Sequence, residues 1–150
     1  AYRAINWQSV VLIAFMLPLA TALDQSGALA LIVDALVTGV GEAGPMALLA
    51  VLFLMTSLLS QVISNTATTV LVAPVALSAA QLLDVSPYTL LMGVAIAAST
   101  AFATPVASPV NTLVLGPGGY RFSDFVKVGV PLQLTALALC LALLPLLFPF

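Results

Sequence analysis

From Ala43 through Leu83 the chain contains no Asp, Glu, Lys, Arg or His, yet the middle of that run, Gln-Val-Ile-Ser-Asn-Thr-Ala-Thr over residues 61–68, is dense in hydrogen-bonding side chains. The apolar limbs on either side offer no face to water. The polar centre must therefore find partners inside protein or in a polar cavity, because buried polar groups without partners are costly in an apolar medium. Ser60 precedes this centre, Ser64, Asn65 and Thr66 form it, and Thr68 and Thr69 follow on what reads as the next helix.

Composition extends the point to the whole chain. Of 150 residues, 63% are hydrophobic and 5% charged, with a mean hydropathy of +1.26, whereas soluble domains carry roughly a quarter charged residues. This is the composition of an all-α integral membrane chain, expected in the cell (inner or plasma) membrane as a multi-pass protein in contact with the lipid bilayer. Three basic residues make no patch for nucleic acid. Cys140 lies in an apolar run and carries no redox signal. No linker, charge block or short tandem repeat divides residues 1–150, so they read as one membrane domain. The start at Ala1, with neither Met nor the basic region of a signal peptide, is expected to mark a piece of a longer chain.

Taken in order, residues 5–23 are long enough to cross a hydrocarbon core of roughly 30 Å, with Tyr2 and Trp7 as interfacial anchors at their start. Residues 28–40 are apolar but short, hold Asp34, and end among Gly39, Gly41, Glu42 and Gly44; they predict a helix lying along the interface. Pro45 suits the first turn of the next limb, and a second limb runs from about Thr66 to Leu83, so that residues 45–84 form a helical pair. Residues 88–116 read as a transmembrane helix broken over Thr104-Pro-Val-Ala-Ser-Pro109. Gly116-Pro-Gly-Gly119 is a turn. Ser123 is expected to cap a short turn leading into a final transmembrane helix within 123–148.

Cytoplasmic loops favour Lys and Arg. Placing Arg3, Arg121 and Lys127 inside leaves Asp24, Asp34, Glu42 and Asp84 outside. Under that orientation the 45–84 pair has two readings. It can be two full spans joined by a tight cytoplasmic turn, or a re-entrant hairpin that enters and leaves from outside. A cytoplasmic turn would be expected to show Gly, Asp or a basic anchor, whereas the hairpin accounts for a tip of neutral hydrogen-bonding residues, since irregular backbone at membrane depth must be buried in protein or line a polar cavity.

Ser or Asn capping the second limb would leave helical N–H groups and the positive dipole end facing the cavity, an anion site. The free carbonyls that end the first limb, with nearby hydroxyls, suit a hard cation such as sodium. Against this stands the plainer reading that these side chains only satisfy a turn or join helices. The second break weighs on the first. Pro105 and Pro109 each remove an amide donor and disfavour helix in the residue before, so Thr104 to Ser108 should be unwound. Ser108, Pro109 and Asn111 then read as cap, first and third residues of a restarted helix, again an N-terminus at membrane depth. The alternative is a simple proline kink. Two breaks flanked by small polar residues look like two walls of one site. The glycine-rich 116–121 segment lacks the features of a phosphate loop. With no His, and no carboxylate in either polar break, neither a metal centre nor an acid–base pair can be assembled there, and the chain does not read as an enzyme.

These residues carry a resemblance. Ser64-Asn65-Thr66 resembles the Ser-Asn-Thr signature of the divalent anion:sodium symporter family, and Thr104 to Asn111 is similar to its second broken-helix motif, usually ending Ala-Thr-Pro-Pro-Asn. Ser108 stands here for the usual Thr, and Val110 for the second Pro. The resemblance covers nearly the whole chain, from Ile5-Asn6-Trp7 to the loop of Gly116 to Phe125. It implies half of an inverted-repeat elevator transporter, the C-terminal repeat, with a re-entrant helical hairpin at 45–84 and a discontinuous transmembrane helix at 88–116. It implies a sodium site from Ser60, the Ile63 carbonyl, Asn65 and the Ala107 carbonyl, and an anion site from Ser64, Asn65, Thr66, Ser108 and Pro109. The implied function is sodium-coupled symport of a small divalent anion, dicarboxylate or sulfate, by alternating access. Its partners would be the N-terminal repeat of the same protein and a second copy in a homodimer, with sodium as coupling ion and no cofactor. Two other readings stand beside it: a related permease for another anion or metal-citrate, and a non-transporting membrane assembly module.

Overall fold

The computed structural model describes residues 25–40 and 43–150, together with the isolated positions 14, 18, 21 and 22. The expected first span at 5–23, its anchors Tyr2 and Trp7, and Arg3, Asp24, Gly41 and Glu42 lie wholly or mainly outside the described residues. All regular structure among the described residues is helical: α1 Ala28–Val40, α2 Pro45–Leu59, α3 Asn65–Leu82, α4 Pro87–Ser99, α5 Pro109–Leu115 and α6 Phe122–Leu147.

The punctuation of the sequence explains most of these limits. Gly44 turns the chain into α2 at a φ of 84°, a conformation that a side chain would strain, and Pro45 starts the helix with no amide to satisfy. At the end of α3, Asp84 adopts the left-handed region at φ 52°. Its amide returns to the Gln81 carbonyl at 3.3 Å and the Val85 amide to the Ala80 carbonyl at 3.0 Å, a Schellman closure with Asp where glycine is usual. Pro87 then opens α4. The same closure ends the chain's second turn region, with Gly119 at φ 62° and the Tyr120 amide on the Leu115 carbonyl at 3.2 Å.

Helix α4 packs against both α2 and α3, and more extensively than those two pack on each other. Its buried face, Leu90, Gly93, Val94 and Ala97, meets a layer of Leu48, Leu49, Leu52 and Phe53 from α2 and of Val72, Val75, Ala76, Ala79 and Ala80 from α3. Gly93 leaves room for the Leu49 side chain, and the small alanines fill the rest of the layer, the usual device where lipid supplies no hydrophobic drive between helices. Pro74 inside α3 removes one ladder bond without ending the helix. Helix α1 lies on α3 and α2 through Val33 and leaves Leu31, Ile32 and Asp34 exposed. Among the described residues, α6 alone is long and apolar enough to cross a membrane by itself; it touches α2 and α4, and buries only Gly129, Cys140 and Leu144. The Thr89 hydroxyl, at the start of α4, donates to the Phe148 carbonyl just past the end of α6.

Two local expectations are corrected. The break after α4 begins at Thr100, four residues before the expected Thr104. The Thr100 hydroxyl takes the Ala97 carbonyl at 2.8 Å and the Phe102 amide folds back on the Thr100 carbonyl at 2.8 Å, so local bonds outcompete the helical ladder before either proline is reached. The cap of the last helix is not Ser123. The helix starts at Phe122, and the Asp124 carboxylate accepts the Arg121 amide at 2.8 Å in a capping box, an anion at the positive end of the dipole.

Candidate transport site

The turn between α2 and α3 is built from residues 60–64. Ser60 is the C-cap of α2; the Ile63 amide reaches back to the Leu59 carbonyl at 2.9 Å. Ser64 is the N-cap of α3 and its hydroxyl accepts the Ala67 amide at 3.3 Å. Asn65 opens α3 half-buried, while Ile63, Ser64 and Thr66 are exposed. In the second break Ala107 is buried, Ser108 caps α5 by accepting the Val110 amide at 3.3 Å, and Pro109 is the first residue of α5, its side chain falling outside what is described.

The two breaks meet. The Thr104 hydroxyl donates to the Gln61 carbonyl at 3.0 Å and accepts the Ala107 amide at 3.2 Å. Thr104 therefore joins the tip to the unwound segment and shapes the turn that holds Ala107. Among the described side-chain hydrogen bonds this is the one that links the breaks directly; Ser108 and Pro109 have no such bond to the tip. Across the second break, the Asn111 amide donates to the Ala101 carbonyl at 3.3 Å and the Thr104 carbonyl at 3.1 Å, supplying two acceptors that the lost helix no longer satisfies. The Thr112 hydroxyl donates to the Pro105 carbonyl at 2.7 Å. On the far side, α6 is seated on the break at Gly129, where an added Cβ would lie 2.3 Å from the Phe102 carbonyl oxygen.

The electrostatics around the tip come from oxygens and dipoles rather than charges. The side-chain oxygens of Ser57, Ser60, Gln61, Asn65 and Thr68 are buried and lack a hydrogen-bond partner. Each such hydroxyl or amide left alone costs about 1–3 kcal/mol, which is tolerated where a ligand replaces the missing partner. Of these, Ser60 and Asn65 were singled out in the sequence as sodium ligands. Ser57 and Gln61 were not, because a serine or glutamine near a helix end has many ordinary uses. Asn111 was noted only as the third residue of α5; its role across the break depends on a fold-back that spacing does not reveal. The cavity of about 380 Å³ behind the break, lined by Phe102, Asn111, Tyr120, Phe125 and Leu132 among others, is largely apolar and includes none of the unpaired oxygens.

Among the described residues, an all-helical architecture with one helix long and apolar enough to cross a membrane, and two helix breaks joined through Thr104, fits an all-α membrane transporter. The family model described as "Citrate transporter" matches residues 1–87 and 68–150. The chain belongs to this family of transporters, of the divalent anion:sodium symporter type. It is 53% identical over its whole length to uncharacterized transporter YfbS of Escherichia coli, of which it covers 25%. It is 34% identical over 85% of its length to solute carrier family 13 member 2 of Rattus norvegicus, covering 22% of that protein. Against sodium/sulfate cotransporter 1 of Chlamydomonas reinhardtii it is 30% identical over 87% of its length, covering 15%. The chain thus spans a quarter or less of these relatives. They and the family are transporters, which are not enzymes.

Proposed function

We propose that this chain belongs to the C-terminal repeat of a sodium-coupled symporter for a divalent anion, sulfate or dicarboxylate, working by alternating access in the cell membrane. The observation that carries the reading is the Thr104 to Gln61 bond, which ties the α2–α3 tip to the unwound 100–108 segment around unpaired oxygens. The name of the Chlamydomonas relative supports sodium and sulfate as transported species.

In this reading 45–84 is a re-entrant hairpin open to the outside, 88–116 is a broken transmembrane helix, α1 is interfacial and α6 is the last span. Sodium binds between Ser60, the Ile63 carbonyl, Asn65 and the Ala107 carbonyl. The anion meets Ser64, Asn65, Thr66, Ser108 and Pro109, where the capped start of α3 directs amides and a dipole toward negative charge. Sodium neutralises and orders the tip, so the anion binds well only with sodium present, and the anion tightens sodium in return. The other repeat supplies the facing half-site, and a homodimer supplies the frame against which the carrier moves.

The test is uptake by the full-length protein in proteoliposomes, sulfate against succinate, with and without a sodium gradient. Sodium-stimulated uptake of either, abolished by Asn65→Ala in a folded protein, is the expected result. Undiminished uptake by Asn65→Ala would sink the site assignment. The family description favours one second reading, a citrate carrier with or without bound metal; citrate in the same assay, free and with magnesium, distinguishes it.

A further inference from the structure

The buried stripe of α2 changes character along its length. It begins with Leu48, Leu49, Leu52 and Phe53 and ends with Thr56, Ser57 and Ser60; the stripe of α3 begins at Ala67 and Thr68. Helical Ser and Thr commonly return their hydroxyl to the carbonyl four residues back. Thr56 does so to Leu52 at 2.6 Å, Thr69 to Asn65 at 2.8 Å and Thr135 to Pro131 at 2.8 Å. Ser57, Ser60 and Thr68 do not, although each is 0% exposed. Ser60 and Thr68 lie on opposite limbs, each four residues from the cap Ser64. The Gln61 side-chain amide donates to the Ser57 carbonyl at 3.2 Å and to the Gln133 side-chain oxygen at 3.5 Å, while its own amide oxygen is buried and unpaired.

The chemistry of these atoms selects their ligand. The amide oxygens of Gln61 and Asn65 only accept, and hydroxyls accept as well as donate. The last turn of α2 adds the negative end of its dipole. With no carboxylate between Ala43 and Leu83, a divalent cation would lack charge compensation, whereas a monovalent alkali cation suits an all-oxygen neutral shell. We propose that Ser57, Thr68 and the Gln61 side-chain oxygen line an inner alkali-cation position one helical turn below the tip, adjoining through Ser60 the outer site at Asn65 and Ala107. This rests on the sodium-coupled reading above and adds a second coupling ion to it.

The full-length protein in proteoliposomes tests it by sodium titration of uptake, by the sodium-to-anion ratio from reversal potentials, and by sodium-induced thermal stabilisation without anion. Thr68→Val and Ser57→Ala should raise half-saturating sodium about tenfold, the effect of losing one strong ligand. They should also lower the coupling ratio, with anion affinity at saturating sodium unchanged, and Thr68→Ser should behave as the unmutated protein. If the valine variant does not fold, Thr68→Cys keeps the volume and removes the hard oxygen, and the same shift is expected. Unchanged sodium titration and ratio in the folded variants would overturn the inner position, leaving water as the occupant, while the outer site stands. Sodium-independent uptake by the unmutated protein would overturn both.

Discussion

The Thr104 hydroxyl spans 3.0 Å to the Gln61 carbonyl while receiving the Ala107 amide at 3.2 Å, so one side chain links two helix breaks 43 residues apart in sequence. Its position before Pro105 explains why it is free to do so: the residue before a proline is pushed out of helical conformation. Thr104→Val keeps the shape and removes both bonds. Uptake by the full-length protein should fall about three- to tenfold, the range of one or two net hydrogen bonds, with Thr104→Ser restoring it. Wild-type uptake by the valine variant would show that the tip is held by packing alone.

Asn111 tests the break from its other side. Asn111→Ala leaves the Ala101 and Thr104 carbonyls without their donor, and Ala101 is buried. A loss of about 1–3 kcal/mol is expected, seen as a lower thermal midpoint in detergent. Because Thr104 is one of the two carbonyl partners, substrate protection against unfolding should weaken in parallel. A midpoint equal to that of the unmutated protein would mean that water replaces the amide at no cost.

The helical architecture was legible because glycine, proline and capping residues mark its ends: Gly44-Pro45, Ser64 and Ser108-Pro109 each sit at a helix start in the structure. The end of α4 was not, since Thr100 and Phe102 unwind the chain through local bonds that no breaker residue announces. Arg121 as a cap was missed for the reason that its backbone, rather than its side chain, is the group Asp124 satisfies. The two polar stretches were visible as interruptions of apolar runs. They read as two walls of one site, but the bond that joins them was not visible, because it runs from Thr104 to the Gln61 backbone, which carries no residue-specific signal. The unpaired state of Ser57 and Thr68 depends on rotamer choice against the i−4 carbonyl, which sequence does not encode.

Thr66 reports on the side from which the hairpin opens. It is exposed at the tip, one residue into α3, and makes no side-chain bond that a substitution would break. Thr66→Cys in the full-length protein should be labelled by a membrane-impermeant thiol reagent from outside, and substrate with sodium should slow the labelling. Labelling solely from the cytoplasmic side would replace the re-entrant hairpin by two full spans.

Gly129 and Gly93 separate a rigid contact from a yielding one. A Cβ on Gly129 would lie 2.3 Å from the Phe102 oxygen, 2.5 Å from its carbonyl carbon and 2.6 Å from Ala103 Cα, all backbone atoms of the unwound segment. A Cβ on Gly93 would meet the Leu49 Cδ1 at 2.4 Å, the end of a side chain. Leu49 is fully buried, so it gives way at some cost, but a rotamer change is available to it and not to a backbone carbonyl. Gly129→Ala should therefore force α6 away from the break and cost more than the about 1–3 kcal/mol typical of overpacking, while Gly93→Ala stays within that range. Because Thr104 is two residues from Phe102, the displacement should also reach the tip: Gly129→Ala is expected to lose sodium-dependent uptake in whatever fraction folds. Thermal midpoints and uptake per folded molecule measure the two effects separately. Equal destabilisation by the two alanines would show that the backbone contact yields as readily as the side-chain one.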